Sequence, residues 1–303
     1  VTLGYEVKAF IHYNSNNHWG WLENSEIKND IEVIAGDVRD YDSVSKAVKR
    51  SDTVFHLAAL IGIPYSYVSP LAYIKTNIEG TYNILESSRV EEVNNIIITS
   101  TSETYGSAQY VPIDENHPLV GQSPYSASKI SADQLAISYY RSFNMPVRIV
   151  RPFNTYGPRQ SARAIIPSII CQILAGKKEI QLGNLTPTRD LTYVKDTVEG
   201  FIEIMKSDKL IGEVTNIGMN DEISIGELVE IVSKILKQDI VVKSHPNRVR
   251  PKNSEVDRLY CDNSKITDLT NWSPRYDISK GLSETINWMK GNMHLYKSDV
   301  YNI

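Results

Sequence analysis

The chain has 303 residues, 41% hydrophobic and 22% charged, which is enough apolar material for a large buried core and too much for a disordered segment. Its 32 basic and 36 acidic side chains leave a formal net charge of −4, which argues against a dedicated nucleic-acid or anionic-membrane surface. No run approaches the roughly 20 apolar residues of a membrane span.

Val1 to Lys8 lacks the basic-then-apolar order of a signal peptide. The two cysteines, Cys171 and Cys261, form neither a disulfide framework nor a metal cluster, and read as reduced, semi-buried residues of a cytoplasmic protein.

In chain order, Val1 to Tyr5 reads as the tail of a helix capped by Gly4. Strands are predicted at 7–11, 31–34, 53–57, 96–99 and 147–150. Helices are predicted between them at 43–49, 74–88 and 125–143. Strands alternating with helices mean βαβ units and a parallel sheet, in which ligands sit beyond the carboxyl ends of the strands. After Pro152 helices are predicted at 165–175, 194–206, 223–236 and 278–290, with Ser224 and Glu227 spaced as a capping box. Short strands fall near 179–182, 214–217 and 239–242.

The predicted fold is therefore α/β: a Rossmann-type doubly wound parallel sheet with a smaller α/β substrate-binding lobe. Residues 1–160 form the dinucleotide-binding part. Residues 161–303 form mainly the lobe, with segments near 183–215 returning to the first part.

Two stretches carry chemistry. Tyr125 and Lys129 lie four apart on one helix face, where an ammonium lowers a phenol's pKa and makes Tyr125 a general base. Alone, that spacing is common by chance and describes an ordinary packed Tyr beside a solvated Lys. The second stretch changes the odds. The apolar strand ending at Thr99 runs into Ser100-Thr101-Ser102-Glu103. Thr101 can bond a substrate oxygen beside Tyr125, and Glu103, at the mouth of an apolar strand, is expected to be a carboxylate of raised pKa suited to acid–base work. Histidines 18, 117, 245 and 294 share no metal-ligand spacing, and no metal is expected. His56, Trp19 and Trp21 are expected to pack in the core.

These pieces occur in a fixed order. Gly36-Asp37-Val38, His56-Leu57-Ala58-Ala59, Asn77-Ile78-Glu79-Gly80-Thr81, Thr101-Ser102-Glu103 and Tyr125 with Lys129 come first. Arg151 to Arg159 (Arg-Pro-Phe-Asn-Thr-Tyr-Gly-Pro-Arg) and Arg189 to Asp196 (Arg-Asp-Leu-Thr-Tyr-Val-Lys-Asp) follow. Together they resemble the extended short-chain dehydrogenase/reductases that act on nucleotide sugars. The Ser-Glu pair is similar to that of GDP-mannose 4,6-dehydratases, whereas dTDP-glucose enzymes carry Asp at the Ser102 position. With Tyr13-Asn14-Ser15, Trp19-Gly20-Trp21 and Gln160 to Ala164, the whole chain most resembles the 4,6-dehydratases of legionaminic-acid-type pathways, which act on GDP- or UDP-N-acetylglucosamine.

The resemblance implies catalytic residues Thr101, Ser102, Glu103, Tyr125 and Lys129. Tyr125 would serve C4 oxidation. Glu103 would take the C5 proton and, once protonated, release the C6 hydroxyl as water, with Ser102 orienting. Cofactor contacts are implied for Asp37, Val38, Leu57, Ala58, Ala59, Asn77, Thr99, Tyr125, Lys129, Pro152 and Phe153. Substrate contacts are implied for Tyr65, Ser66, Asn154, Arg163, Arg189, Arg250 and Glu255. Arg159 is a weaker candidate, and Asp196, with Glu255, would orient the arginines. His12, Tyr13, Asn14 and Ser15 follow the strand at 7–11, with no Arg to hold a 2′-phosphate, which favours NAD over NADP.

A homodimer built from the helices at 74–88 and 125–143 is implied. The resemblance also implies that the first strand and its Gly-rich turn precede Val1, so the chain is expected to be a truncated form. The alternatives are a UDP-glucuronate decarboxylase, a 4-epimerase, and a non-catalytic nucleotide-sugar-binding protein.

Overall fold

The computed structural model describes residues 1–297; positions 298–303 of the expected lobe lie outside the described residues. In chain order the elements are β1 (Val7–His12), β2 (Ile31–Gly36), α1 (Tyr41–Val48), β3 (Thr53–His56), α2 (Ile63–Val68) and α3 (Pro70–Tyr73). A π-helical turn (Ile74–Glu79) runs into α4 (Gly80–Val90), followed by β4 (Asn95–Thr99), a 3₁₀ turn (Ser102–Tyr105), α5 (Pro124–Phe143), β5 (Val147–Pro152) and β6 (Asn154–Tyr156). Then come α6 (Ile165–Leu174), β7 (Glu179–Leu182), β8 (Thr188–Arg189), β9 (Leu191–Tyr193), α7 (Val194–Lys206) and β10 (Val214–Ile217). The last named elements among the described residues are β11 (Ile223–Ser224), α8 (Ile225–Leu236), β12 (Val241–Ser244), β13 (Arg258–Leu259), α9 (Ser264–Leu269) and α10 (Ile278–Gly291), with a 3₁₀ turn (Met293–Leu295) after them.

A parallel sheet in the order β3-β4-β5-β10 forms the centre. In β4, Ile96, Ile97 and Ile98 are wholly buried. Ile96 and Ile98 pack with Val44, Val48, Leu85 and Ala136 of α1, α4 and α5. Ile97 packs the other way, with Phe201, Ile204, Ile217 and Trp272. Helices therefore cover both faces, which is why the strands read as β-branched runs without alternation. A separate core joins α6, β7, α8 and α10 through Ile169, Ile170, Leu182, Leu228, Leu282 and Ile286.

β1 and β2 form their own parallel pair, and β1 and β3 are not paired with one another among the described residues. The pair is tied to the rest through Phe10 and α1, which share the apolar cluster beneath β4.

Several local expectations change. Val1 to Gly4 is a turn closed by the Gly4 N–H on the Val1 carbonyl at 2.8 Å, not a helix end, although Gly4 does take the left-handed φ of +85° expected of a cap. The helix expected at 74–88 opens as a π turn and is preceded by the two short helices α2 and α3. The strand expected near 239–242 lies two residues later, where β12 pairs with β7. α8 starts at Ile225, because Ser224 is its cap. The Ser224 hydroxyl accepts the Glu227 N–H at 3.1 Å, and the Glu227 carboxylate accepts the Ser224 N–H at 2.8 Å. Replacing Ser224 by Ala should lower the unfolding free energy by about 1 kcal/mol in denaturant melts.

Candidate active site

The carboxyl ends of β3, β4 and β5 meet the first turns of α5. Ser123 caps α5, its hydroxyl accepting the Ser126 N–H at 3.1 Å, and Pro124 occupies the first turn, where its missing N–H costs nothing. This fixes where α5 begins and brings Tyr125 and Lys129 over the end of β4. Thr101 caps the 3₁₀ turn that carries Ser102 and Glu103, its hydroxyl accepting the Glu103 N–H at 3.3 Å. The Thr101 hydroxyl lies beside the Tyr125 phenol and favours its ionised form. Lys129 Nζ donates to the Thr99 carbonyl at 2.5 Å. Thr99, Thr101, Glu103, Tyr125 and Lys129 thus converge, with Ser102 buried behind them.

The electrostatics differ from expectation. Burial pushes the Tyr125 phenol well above its ordinary range, the Thr101 hydroxyl opposes this, and the Glu103 charge adds to it. The expected lowering by Lys129 does not offset this burial. Its ammonium faces the Thr99 carbonyl, and burial lowers its own pKa, with the Asp133 carboxylate acting the other way. Glu103 is not at an apolar mouth. Its Oε1 lies 3.9 Å from Arg250 Nη1, which lies 3.7 Å from Glu255 Oε1; Arg189 Nη2 is 3.6 Å from the same oxygen. Two guanidinium groups and two carboxylates therefore interleave beside Tyr125.

An aromatic row leads into the site, from Tyr65 to Tyr73 at 6.2 Å and from Tyr73 to Tyr125 at 6.2 Å. The Tyr73 hydroxyl donates to the Gly62 carbonyl at 2.5 Å. Arg163 lies over Gly62, where an added Cβ would come within 2.9 Å of its Nη1. Leu57 and Ala58 are exposed beyond β3, and the small Ala58 and Ala59 leave the backbone open to a ligand.

Other expected contacts are spent within the protein. The Asn77 amide accepts the Leu60 N–H at 2.8 Å and donates to the Leu60 carbonyl at 3.0 Å and the Ser128 hydroxyl at 2.9 Å. With both donors used, Asn77 clamps the loop after β3 to α5 rather than touching a cofactor. The Ser66 hydroxyl is buried and donates to the Ile63 carbonyl, so it does not reach a hexose. The Phe153 N–H is taken by the Ile217 carbonyl at 2.8 Å, and its ring is buried; the neighbouring Pro152 is half-buried at the end of β5.

Val38 is a core residue whose carbonyl accepts from Asn83. Asp37 is gripped by Arg39 through Nε and Nη2, which holds its carboxyl at about 2. Asp196 accepts the Tyr276 N–H and does not meet the arginines. Arg159 stacks over Trp288, which also packs edge-on against the half-exposed Trp21. His56 is buried as expected, with Nε2 3.0 Å from the Thr81 hydroxyl.

Three buried polar atoms beside the site have no hydrogen-bond partner: Thr99 Oγ1, Asn154 Oδ1 and Arg250 Nη1, the last held only by its loose ion pairs with Glu103 and Glu255. Such atoms ordinarily find a partner, so these three are open to bonding a polar ligand. The residues not anticipated are Ser100, Asp133, Arg151, Tyr73 and Tyr105. The available signals were a charged Arg151 inside an apolar strand and an Asp133 one helical turn after Lys129.

The family model described as GDP-mannose 4,6 dehydratase matches residues 1–285. The chain belongs to this family. Within the wider set of relatives it is 30% identical over 284 residues to human dTDP-D-glucose 4,6-dehydratase, covering 91% of this chain and 80% of that protein. It is 31% identical to the UDP-N-acetyl-alpha-D-glucosaminuronate decarboxylase of Bacillus cytotoxicus, covering 88% and 85%. The structure of the UDP-glucuronic acid 4-epimerase of Bacillus cereus, in complex with UDP-glucuronic acid and NAD, superposes with a TM-score of 0.86 at 28% identity, covering 97% of this chain and 93% of that one. Dehydratase, decarboxylase and epimerase thus share the family frame, and the residues around Tyr125 must distinguish them.

One pH-dependent property follows from the site's scaffold. Burial lowers His56 to about 3, against an ordinary 6.5. The unfolded chain therefore binds this proton first, so the contribution is fully present above about 6.5 and is lost as pH falls towards 3. Proton-detected titration should show the ring neutral from pH 5 to 8, and His56→Gln should flatten the acid-side loss of stability.

Proposed function

We propose that the chain is an NAD-dependent nucleotide-sugar 4,6-dehydratase acting on a GDP- or UDP-linked N-acetylglucosamine, of the legionaminic-acid type. The observation that carries this reading is the turn that sets Glu103 beside Tyr125 and Thr101, a carboxylate that simple C4 epimerisation does not need. Ala58, Ala59, Thr99 and Lys129 would hold the cofactor. Two of the three Lys129 N–H donors remain for ribose hydroxyls, and Thr99 Oγ1 is buried without a partner. When bound, NAD would supply the hydride acceptor for C4 and the hydride donor for C6.

Tyr125 would take the O4 proton as its phenolate; burial opposes that form in the ligand-free site, and the positive charge of oxidised NAD, with that of Lys129, would favour it once the cofactor is bound. Thr101 orients the phenol. The resulting 4-ketone acidifies C5, and Glu103 removes that proton. The protonated Glu103 passes it to the C6 hydroxyl, which leaves as water, with Ser102 orienting the turn. The proton held by Tyr125 balances the one delivered to C5 when C6 is reduced. The product is a 4-keto-6-deoxy sugar, one water lighter, with no net redox change. Arg189 and Arg250 would take the diphosphate through their forked donors, with Arg163 at the rim and Glu255 holding the two arginines.

In the same reading, residues 1–160 bind the cofactor and the lobe after them binds the sugar nucleotide. Two chains associate through the π turn with α4 and through α5, which carry the exposed Ile74, Tyr82 and Phe143.

A second reading has a specific observation behind it. Arg250 Nη1 is buried, unbonded and near Glu103, a place that suits the C6 carboxylate of a hexuronate. UDP-glucuronate decarboxylation would then be the reaction, with release of CO2.

Incubation with GDP- and UDP-N-acetylglucosamine, read by product mass, should show loss of one water. Unchanged substrate together with CO2 from UDP-glucuronate would replace the dehydratase reading by the second. Glu103→Gln should still form NADH when substrate is added but release no dehydrated product; dehydration near the wild-type rate would remove Glu103 from the mechanism. Tyr125→Phe should lower turnover by about 10² to 10⁴, measured as initial product formation.

A further inference from the structure

One carboxylate ties the two halves of the site together. Asp133 lies on α5, four residues after Lys129, and is wholly buried. Its Oδ2 accepts the Ser100 hydroxyl at 2.7 Å, Arg151 Nε at 3.1 Å and Arg151 Nη2 at 2.9 Å. Ser100 is the residue between β4 and the turn that carries Thr101, Ser102 and Glu103. Arg151 comes from β5, and its guanidinium stacks over the Tyr105 ring at 4.9 Å. Tyr105 closes the same turn, and its hydroxyl donates to Asn216 Oδ1 of β10 at 2.7 Å. A single network therefore grips the Glu103 turn at both ends and anchors it to the helix of Tyr125 and Lys129.

The placement is costly unless it serves a purpose. A buried ion pair is weak ground for stability, since desolvation offsets much of the attraction. An apolar pair of the same volume would pack between α5 and β5 equally well. What an apolar pair could not do is direct the Ser100 hydroxyl or place an anion one turn from a buried ammonium.

We propose that Asp133 and Arg151 are positioning residues for the reaction: they fix the Glu103 turn relative to Tyr125 and provide the buried counter-charge of Lys129. Neither touches substrate. The proposal rests on the reading that Tyr125 and Lys129 serve oxidation at C4, a step shared by the dehydratase, decarboxylase and epimerase reactions. Asp133 itself faces Ser100, Arg151 and Lys129.

The test compares the full chain with Ser100→Ala, Asp133→Asn and the neutral double variant Asp133→Asn with Arg151→Gln. Substrate-dependent turnover, thermal melting and amide hydrogen exchange over residues 99–106 are measured for each. Ser100→Ala should lower kcat about tenfold and leave KM near wild type, because a displaced catalytic group costs rate rather than binding. Asp133→Asn should lower kcat about a hundredfold. The double variant, which removes the Asp133 and Arg151 charges together, should melt closer to wild type than Asp133→Asn does, yet keep the low kcat and the faster exchange at 99–106.

If the double variant regains wild-type kcat, or if Ser100→Ala changes neither kcat nor exchange, the pair is merely structural and the proposal is overturned. Should Asp133→Asn fail to fold, the other two variants decide. Should the wild-type chain turn over no nucleotide sugar, the functional reading fails, while exchange at 99–106 still tests the positioning.

Discussion

Ile96, Ile97 and Ile98 leave β4 no solvent-facing side. A strand buried on both faces can place polar side chains only at its ends, and a parallel neighbour on each side orients every carboxyl end the same way. The hydroxyl-rich stretch from Thr99 to Glu103 therefore emerges at one edge of the sheet, beside the ends of β3 and β5. The rest of the site is built around that edge. α5 must cross it, since Ala132 and Ala136 of α5 are wholly buried. Its capped start sets Tyr125 and Lys129 at the same level as the Glu103 turn.

Around this edge the polar groups divide by task. Asn77, Ser66 and Ser100 spend their hydrogen bonds on backbone and neighbouring side chains, and so hold loops in place. Thr99, Asn154 and Arg250 keep buried atoms unbonded. The π turn at 74–79 belongs to the first group. It brings the Asn77 amide within reach of both polar groups of Leu60, which fixes the loop carrying Ala58 and Ala59. Irregular helical turns of this kind are common at functional sites. The interleaved Glu103, Arg250, Glu255 and Arg189 form a third group, with separations of 3.6 to 3.9 Å rather than tight pairs. Such a cluster can rearrange around an anionic ligand without breaking a strong hydrogen bond.

Much of this was legible beforehand. Long apolar runs placed the central strands, and helical periodicity placed α5, α7 and α10 within two residues of their observed ends. The Tyr125, Lys129 and Glu103 grouping was also legible, because strand-end residues in an α/β fold share one edge. The short strands β6, β8, β9, β11 and β13 were not. Each has two or three residues, and their pairings depend on partners far along the chain. Asn77, Ser66 and Phe153 sit in recognisable motifs, but motif membership does not say whether a donor faces a ligand or the protein.

The sequence by itself determined the fold class, the order of the units and the family-like grouping of chemical residues, because periodicity, capping and strand-end position are local properties. Only the tertiary structure decided the electrostatics. Whether Lys129 faces Tyr125 or the Thr99 carbonyl, whether Glu103 stands among apolar groups or arginines, and whether Asp133 meets Arg151 all depend on which elements pack together. Burial and charge pairing act through space and fall off over a few ångströms, and sequence spacing does not encode those distances.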